Sequence, residues 1–168
     1  MCLSHGEKPL VHIVLHQPEI PDNTGNVGRT CVALGAKLWL VRPLGFRLDD
    51  RHLRRAGLDY WQHLDWEVVD DWPALLDRLG GCRPWLFSKH APTIYSAAAF
   101  SPGDVLVFGS ESQGLPRSLL ESHGDRCLRI PMAMEARSLN LAVSVAVAAF
   151  EARRQLGVRG SQAQASAP

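Results

Sequence analysis

Short, nearly continuous apolar runs recur along this chain, and turn-forming residues follow each of them. The runs cover residues 10–16, 37–41, 66–69, 85–87 and 105–108, and a last run ends at residue 130. Runs of this length, bounded by Gly, Pro, Asn or Asp, are typical of buried β-strands. Because segments with helical spacing lie between them, the pattern predicts an α/β fold, with a mostly parallel sheet and helices on both of its faces.

Capping residues predict where the helices begin and end. In the first helix, Asn23 is the expected N-cap and Gly35 the expected end. Its apolar stripe is formed by Val27, Cys31 and Leu34. Further helices are predicted after Asp49 or Asp50, over residues 72–79 and after Pro116.

The last predicted helix differs from the others because it lacks a polar face. Between residues 139 and 150, only Asn140 and Ser144 are clearly polar. Ser138 is the expected N-cap, after a strand that stops before Pro131 and a loop. The helix is far shorter than the roughly 20 apolar residues that span a bilayer. We therefore expect burial on both sides, against its own sheet and a second subunit, with a ligand site near its N-terminus.

Composition narrows the class of protein. The chain has 168 residues, of which 46% are hydrophobic and 21% charged, and these are ordinary values for a globular domain. We expect one domain over residues 1–157 and a frayed tail over 158–168, which is rich in Gly, Ser, Ala and Gln. Because the formal net charge is only +1, any RNA would contact a local patch and not the whole surface.

The cysteines and the N-terminus indicate where the protein works. Cys2, Cys31, Cys82 and Cys127 are scattered, without the paired spacing of a zinc site. We expect reduced thiols and no metal. The N-terminus lacks the pattern of a signal peptide, and no segment predicts a membrane span. These features favour a cytoplasmic protein.

Several common α/β families lack their markers here. No Gly-x-Gly-x-x-Gly follows the first strand, and no Gly-x-Ser-x-Gly elbow is present. Residues 109–114 have the glycine spacing of a P-loop, but Leu115 and Pro116 stand where Lys and Ser or Thr are required. Three loops at predicted strand ends remain as candidates for a site: 23–29, 109–116 and 130–140.

These three loops carry a family resemblance. The segments NTGNVGR (23–29), FGSESQGLP (108–116), and RIPM (129–132) with RSLNL (137–141) resemble the three motifs of the SPOUT methyltransferases, in the same order. PEIP (18–21) and DDRHLRRAGLDY (49–60) are similar to segments of the members that methylate the wobble position of tRNA.

The resemblance implies a fold, a cofactor and a substrate. It implies a C-terminal trefoil knot that holds S-adenosylmethionine, and a homodimer. The implied reaction is 2′-O-methylation of the wobble nucleotide of tRNA, a C or modified U in leucine tRNAs, with binding through the anticodon stem-loop. The implied cofactor-binding residues are Phe87, Gly109, Gly114, Ile130, Met132, Ser138, Leu139 and Asn140.

Catalytic roles are expected for Arg29, Ser138 and Glu111. Arg29 would hold a phosphate beside the target ribose and stabilise the developing alkoxide, because a guanidinium stays protonated and is a poor base. Ser138 or Glu111 would orient that arginine. RNA contacts are expected from one basic helix face and an aromatic residue beside it: Arg51, Arg54, Arg55 and Tyr60.

Simpler interpretations and other functions stay open at this point. Asn23 and Ser138 could be helix caps, Arg29 a surface ion-pair partner and Glu111 the partner of a core arginine. The arginine face could be solvated. Methylation of ribosomal RNA is one alternative function, and a non-catalytic RNA-binding or assembly factor on the same fold is another.

Overall fold

A computed structural model describes residues 9–48 and 60–157 of the chain. The strands are His12–His16 (β1), Lys37–Val41 (β2), Trp66–Val69 (β3), Trp85–Phe87 (β4), Thr93–Ile94 (β5), Val105–Phe108 (β6) and Cys127–Arg129 (β7). They form one sheet in the order β3-β2-β1-β6-β4-β7-β5, and all of its pairings are parallel. The predicted α/β class and parallel sheet are confirmed. The sequence pattern missed β5, whose two residues are both exposed and too few to show a periodicity.

The helices cover the two faces of this sheet. They are Pro21–Leu34 (α1), Trp72–Arg78 (α2), Arg117–Ser122 (α3) and Leu141–Gln155 (α4), with short 3-10 segments at Trp61–His63, Tyr95–Ala97 and Gly124–Arg126. The helix predicted after Asp49 or Asp50, with Arg51, Arg54 and Arg55, lies outside the described residues. The tail predicted over 158–168 does so as well.

The starts of α1 and α4 differ from the prediction. Asn23 is not the cap of α1, because Pro21 occupies the first helical position, where its missing N–H costs nothing. Ser138 is not the cap of α4 either. Asn140 has that role, since its side-chain oxygen accepts from the amides of Ala142 at 2.8 Å and Val143 at 3.3 Å. The predicted end of α1 at Gly35 is confirmed by its left-handed φ of 68°.

The central strands divide their side chains between two cores. In β1, Ile13 and Leu15 pack into the core under α1 and α4, while Val14 points into the core under α2 and α3. The alternation follows from the two-residue period of a strand, and both faces are apolar because helices cover both. The strands therefore present their carboxyl ends along one edge, between two buried layers.

One side of α4 is buried within the chain and the other is not. Val145, Ala148 and Ala149 are fully buried, as the predicted packing on the chain's own sheet requires. On the opposite side, Val143 is 48% exposed and Phe150 is 51% exposed. Within a single chain, the helix is thus covered on one side only.

Two further features concern membranes and metals. In the part of the chain that the structure describes, no helix is long and apolar enough to cross a bilayer. The same residues contain no group of three or more His, Cys, Asp or Glu side chains placed to hold a metal ion. Cys31, Cys82 and Cys127 are free thiols.

Candidate functional site

A cavity of about 450 Å³ opens at the carboxyl ends of β4, β6 and β7. Its walls come from the turn after β4, the loop after β6 and the segment between β7 and α4, with Ile20 and Asn23 contributing from the start of α1. The carboxyl edge is where open parallel sheets bind ligands, because the loops of neighbouring strands converge there.

The cavity brings together the eight residues that the resemblance implied for cofactor binding. Those along its lining are Phe87, Gly109, Gly114, Ile130, Met132, Ser138, Leu139 and Asn140. Glu111 also lies along it. Arg29 and Tyr60 do not line this cavity, and Arg51, Arg54 and Arg55 lie outside the described residues. The structure thus assembles the predicted cofactor residues in one place and holds Arg29 apart from them.

The glycine loop, which we define as residues 109–116, folds tightly back on itself. The amide of Gly114 donates to the carbonyl of Ser110 at 2.9 Å, and Gly114 has a φ of 70°. A Cβ atom on Gly109 would overlap the backbone of Gly114 and Leu115. Glycine is required at position 109 because two backbone segments meet there, and it is favoured at position 114 by the left-handed conformation.

Glu111 fastens the glycine loop to the start of α1. Its carboxylate accepts from the amides of Glu19 at 2.8 Å and Ile20 at 3.2 Å, and from Asn23 Nδ2 at 3.0 Å. In return, the Glu19 carboxylate accepts from Ser112, through its amide at 3.0 Å and its hydroxyl at 2.6 Å. A carboxylate at a helix N-terminus satisfies free amides and complements the helix dipole. Glu111 therefore acts on α1, and Arg29 is not among its hydrogen-bond partners within the described ranges.

A second contact joins α1 to α4. Asn140 Nδ2 donates to Asn23 Oδ1 at 2.8 Å, while the Asn140 oxygen caps α4. Because Asn23 also donates to Glu111, one chain of hydrogen bonds connects all three motif loops. Asn23 is thus neither a simple cap nor a free ligand group. Its amide links the loops that surround the cavity.

Arg29 lies on an exposed part of α1, beside the segment that follows the undescribed residues. Its guanidinium carbon is 5.1 Å from the centre of the Tyr60 ring, within cation–π range. The neighbouring Trp61 packs against Gly28, where a Cβ atom would come within 3.0 Å of the indole. The absence of a side chain at Gly28 therefore allows the Tyr60–Trp61 segment to approach α1 and place the aromatic ring next to Arg29.

His16 also ends its strand at this edge of the sheet, yet it belongs to the core. It is only 6% exposed and its ring lies 6.2 Å from that of Trp72, in an edge-on arrangement. Burial lowers the pKa of His16, because an imidazolium ion would lose its solvation there. The side chain is therefore a neutral packing group, and it does not line the cavity.

Sequence reasoning missed two residues of the site. Glu19 forms half of the reciprocal contact with the glycine loop, and Lys89 lines the cavity at the turn after β4. Lys89 could have been found from its position, because it lies two residues after a predicted strand end. Glu19 stood in the PEIP segment that marked the resemblance, but no local pattern indicates a partner 93 residues away.

Comparison with known proteins tests the resemblance. The profile of the SpoU rRNA Methylase family matches residues 10–150. The chain belongs to this family. A family relative from Aeromonas hydrophila subsp. hydrophila, named tRNA (cytidine(34)-2′-O)-methyltransferase, is 44% identical over 153 residues, covering 90% of this chain and 98% of its own. The resemblance drawn from the three motif loops is confirmed.

Solved structures agree with the family assignment. A structure described as "Structural insights into the 2-OH methylation of C/U34 on tRNA" has a TM-score of 0.85 and 51% identity, covering 89% of this chain and 97% of that one. An AdoMet-bound rRNA methyltransferase from Sinorhizobium meliloti has a TM-score of 0.77 and 26% identity, covering 91% of this chain and 59% of its own. The family fold therefore extends over most of the chain.

Proposed function

We propose that this protein is an S-adenosylmethionine-dependent methyltransferase that methylates the 2′-hydroxyl of nucleotide 34 in tRNA. The observation that carries the proposal is the convergence of all three motif loops on one cavity. The Aeromonas relative, 44% identical to this chain, is named for position 34 of tRNA, and the solved structure with 51% identity is described by the same position. Each comparison covers about nine-tenths of this chain. Following the resemblance, the target is a C or modified U at the wobble position of leucine tRNAs.

The cavity suits the proposed cofactor. Its volume lies within the roughly 300–1,000 Å³ of small-molecule sites, and the rings of Phe87 and Phe108, which are among its lining residues, stack 4.6 Å apart. The backbones of Gly109, Ile130 and Leu139 offer close approach to an adenosyl group. Met132, Ser138, Asn140 and Gly114 complete the proposed binding set. The bound cofactor would supply the methyl group as a sulfonium, and the protein would position it and exclude water.

Arg29 is the residue that we assign to the substrate. Methyl transfer to a ribose hydroxyl is an in-line displacement, so the protein mainly positions both partners and stabilises charge. The fixed charge of Arg29 suits a phosphate and a developing alkoxide, and would repel a sulfonium. Its place outside the cavity lining supports a role toward RNA. Ser138, whose hydroxyl has no hydrogen-bond partner among the described residues, is proposed to face the reacting ribose.

Glu111 is proposed to act by positioning and not by accepting a proton. Its two oxygens already accept from three N–H donors of α1 and the preceding turn. These hydrogen bonds hold the carboxylate against the start of α1. Loss of Glu111 would therefore displace α1, which carries Arg29, relative to the cavity.

Contacts with the tRNA anticodon stem-loop are proposed for Tyr60 and the basic face of Arg51, Arg54 and Arg55. Tyr60 is 43% exposed, so its ring has a surface free for a base while Arg29 lies beside it. Stacking of an unpaired base on an aromatic ring is a common means of reading single-stranded RNA.

The assembly proposals rest on the resemblance and on exposed apolar side chains. Val143 and Phe150 of α4, with Ile20 and Leu139 of the cavity lining, are each at least 37% exposed. We propose that a second copy covers this surface in a homodimer. We also propose a trefoil knot in the C-terminal part, a single domain over residues 1–157, and a cytoplasmic location, where tRNA is found.

The central test combines cofactor titration with single-turnover methylation of tRNA. Calorimetry is expected to show one S-adenosylmethionine per chain, and ribose mapping is expected to place the methyl group at nucleotide 34. If the protein methylated ribosomal RNA and not tRNA, it would be the ribosomal RNA methyltransferase that the sequence left open as an alternative. A chain that binds RNA without binding the cofactor would be a non-catalytic factor, and the proposal would be wrong.

Arg29 gives the sharper test of the mechanism. Arg29→Ala is expected to leave S-adenosylmethionine affinity nearly unchanged and to lower single-turnover methylation by on the order of 10²-fold, as when one charge-stabilising donor is removed. Arg29→Lys should recover part of the rate, since an ammonium lacks the planar fork. If Arg29→Ala loses cofactor binding in step with activity, the residue belongs to the cofactor site instead.

The homodimer can be tested by light scattering. A dimer is expected at micromolar concentration, and Val143→Glu should convert it into a monomer because the interface would bury an unpaired charge. Arg117→Glu, at an exposed position of α3, is the matched control that should stay dimeric. A stable monomer of the unmodified protein would exclude the proposed assembly.

A further inference from the structure

An exposed lysine, Lys89, contributes to the lining of the cavity. Its Nζ donates to the carbonyl oxygen of Arg137 at 3.2 Å. This hydrogen bond connects the turn after β4 to the segment that leads into α4, 48 residues further along the chain. The lysine thus contacts two walls of the cavity at once.

The backbone that carries Lys89 is held in place from both sides. The amide of Ser88 donates to the Leu128 carbonyl at 2.9 Å, and the amide of Ala91 closes the turn onto the Ser88 carbonyl at 3.1 Å. Below the turn, Arg129 Nη1 donates to the carbonyls of Ala91 at 2.9 Å and Pro92 at 2.6 Å. The position of Lys89 is therefore fixed by the fold, unlike that of a lysine on a loose surface loop.

Charge at the cavity is unevenly distributed. Among the lining residues that the structure describes, Lys89 is the one Lys or Arg, and Glu111 is the one carboxylate. The oxygens of Glu111 already accept from three donors. An ammonium group carries three N–H donors, and Lys89 uses one of them on Arg137. Two donors and a positive charge remain available to a bound anion.

We propose that Lys89 binds the carboxylate of the methionyl part of S-adenosylmethionine. The assignment rests on the proposed function and extends it to the amino-acid end of the cofactor. The adenosyl part would fit the apolar wall of Phe87, Phe108 and the glycine loop, and the amino-acid end would then be free to reach Lys89 on the same lining. A carboxylate leaving water requires a cation or N–H donors, and Lys89 supplies both. Lys89 is not needed for an RNA phosphate, because Arg29, which lies outside the cavity lining, is the cation that we assign to that phosphate.

The experiment pairs two ligands with three variants. S-adenosylhomocysteine carries the amino-acid part, and 5′-methylthioadenosine has the same adenosyl thioether without it. By calorimetry, Lys89→Met should weaken S-adenosylhomocysteine binding by about 5- to 10-fold, the scale of a partly exposed charged hydrogen bond, and leave 5′-methylthioadenosine within about twofold. Lys89→Arg, which keeps the charge, should restore most of the affinity. Arg83→Met is the control. It removes a cation that lies just before the amino end of β4, and it should change the affinity for neither ligand.

Three outcomes would overturn this assignment. An equal loss for both ligands would show that Lys89 acts by holding the Arg137 carbonyl. Unchanged S-adenosylhomocysteine binding with weakened tRNA binding would assign Lys89 to a phosphate. If the unmodified protein bound neither adenosyl ligand, the proposed function itself would fail and this inference with it, whereas the first two outcomes leave the proposed function intact.

Discussion

Two loops contribute walls of the cavity, and they are held in different ways. The glycine loop is fixed along its length, by the Ser110–Gly114 contact and by the reciprocal carboxylates of Glu19 and Glu111. The second loop, which we call the C-terminal loop and define as residues 130–140, is exposed from residue 133 onward, and Met134 is 99% exposed. One wall is preformed, while the other depends on contacts near its ends.

The hydrogen bonds of the C-terminal loop show how few contacts hold it. In the described structure these are a turn from Ala136 to Ala133, the Lys89 contact to Arg137, and the contacts of Asn140. Segments with few buried contacts open at low free-energy cost. A ligand would therefore bind to a preformed glycine loop and would order the C-terminal loop on binding. This difference favours entry and release of the ligand past the C-terminal loop.

The largest expected effect comes from filling the space at Gly109. Gly109→Ala would place a Cβ atom on the backbone of Gly114 and Leu115, so the loop must shift. We expect a loss of ~3 kcal/mol in the free energy of unfolding, as for severe overpacking, and no detectable S-adenosylmethionine binding. Urea unfolding and calorimetry measure both.

The matched control for this substitution is Gly124→Ala. A Cβ atom at Gly124 meets nothing within 4 Å, and its φ is not in the left-handed region. Stability and binding should remain at the unmodified level. A Gly109→Ala variant that behaves like Gly124→Ala would show that the glycine loop is not preformed.

The next effect in size concerns the carboxylate that fastens the glycine loop to α1. Glu111→Ala would leave the amides of Glu19 and Ile20 and the side chain of Asn23 without their acceptor. We expect a loss of about 2 kcal/mol in unfolding free energy, the cost of orphaned, partly buried donors. Glu121→Ala removes an exposed pair with Arg117 and should cost less than about 0.5 kcal/mol. Equal costs for the two variants would contradict the role of Glu111.

A smaller effect separates two candidate caps at the end of the C-terminal loop. Asn140→Ala should cost about 1 kcal/mol, the usual value for a lost N-cap, because Ala142 and Val143 lose their acceptor. Asn140→Ser should recover part of it. Ser138→Ala should stay within about 0.5 kcal/mol, since its hydroxyl has no hydrogen bond in the described ranges. Thermal unfolding of the three variants measures these losses of stability. A larger loss for Ser138→Ala than for Asn140→Ala would show that Ser138 is the N-cap of α4.

The smallest effect is one of dynamics and needs no substitution. Amides of residues 133–139 are expected to exchange with deuterium much faster than those of 112–115, because fewer contacts hold them. Added S-adenosylmethionine should slow exchange in the C-terminal loop more than in the glycine loop. The amides of β6 serve as the internal reference. Equal protection of both loops in the free protein would remove the contrast between them.

Much of the fold was predictable because its strands are continuous apolar runs. The runs at residues 37–41, 66–69, 85–87 and 105–108 coincide with β2, β3, β4 and β6. In β4 and β6, where every residue is buried, no polar position breaks the run, so the limits of these strands are visible in the sequence. The exact starts of α1 and α4 were not predictable from Asn23 and Ser138, because several residues near each start have capping chemistry.

The candidate site was predictable in part. Residues of the second and third motifs line the cavity as expected, since loops that follow parallel strands must meet at one edge. The parts played by Glu19, Asn23 and Glu111 were not predictable, because their partners lie about 90 residues away and local spacing carries no sign of them. The contact of Arg29 with Tyr60 joins residues that are closer in the chain, but it too lies beyond the reach of local spacing.

The sequence by itself determined most of the strands, the parallel sheet and the family, because periodicity, turn residues and motifs are local properties. Only the tertiary structure decided how the motif loops are joined. Asn140 rather than Ser138 caps α4, and it does so while it binds Asn23, which in turn binds Glu111. That choice depends on the distance between side chains far apart in the chain, and packing of α1 against α4 sets that distance.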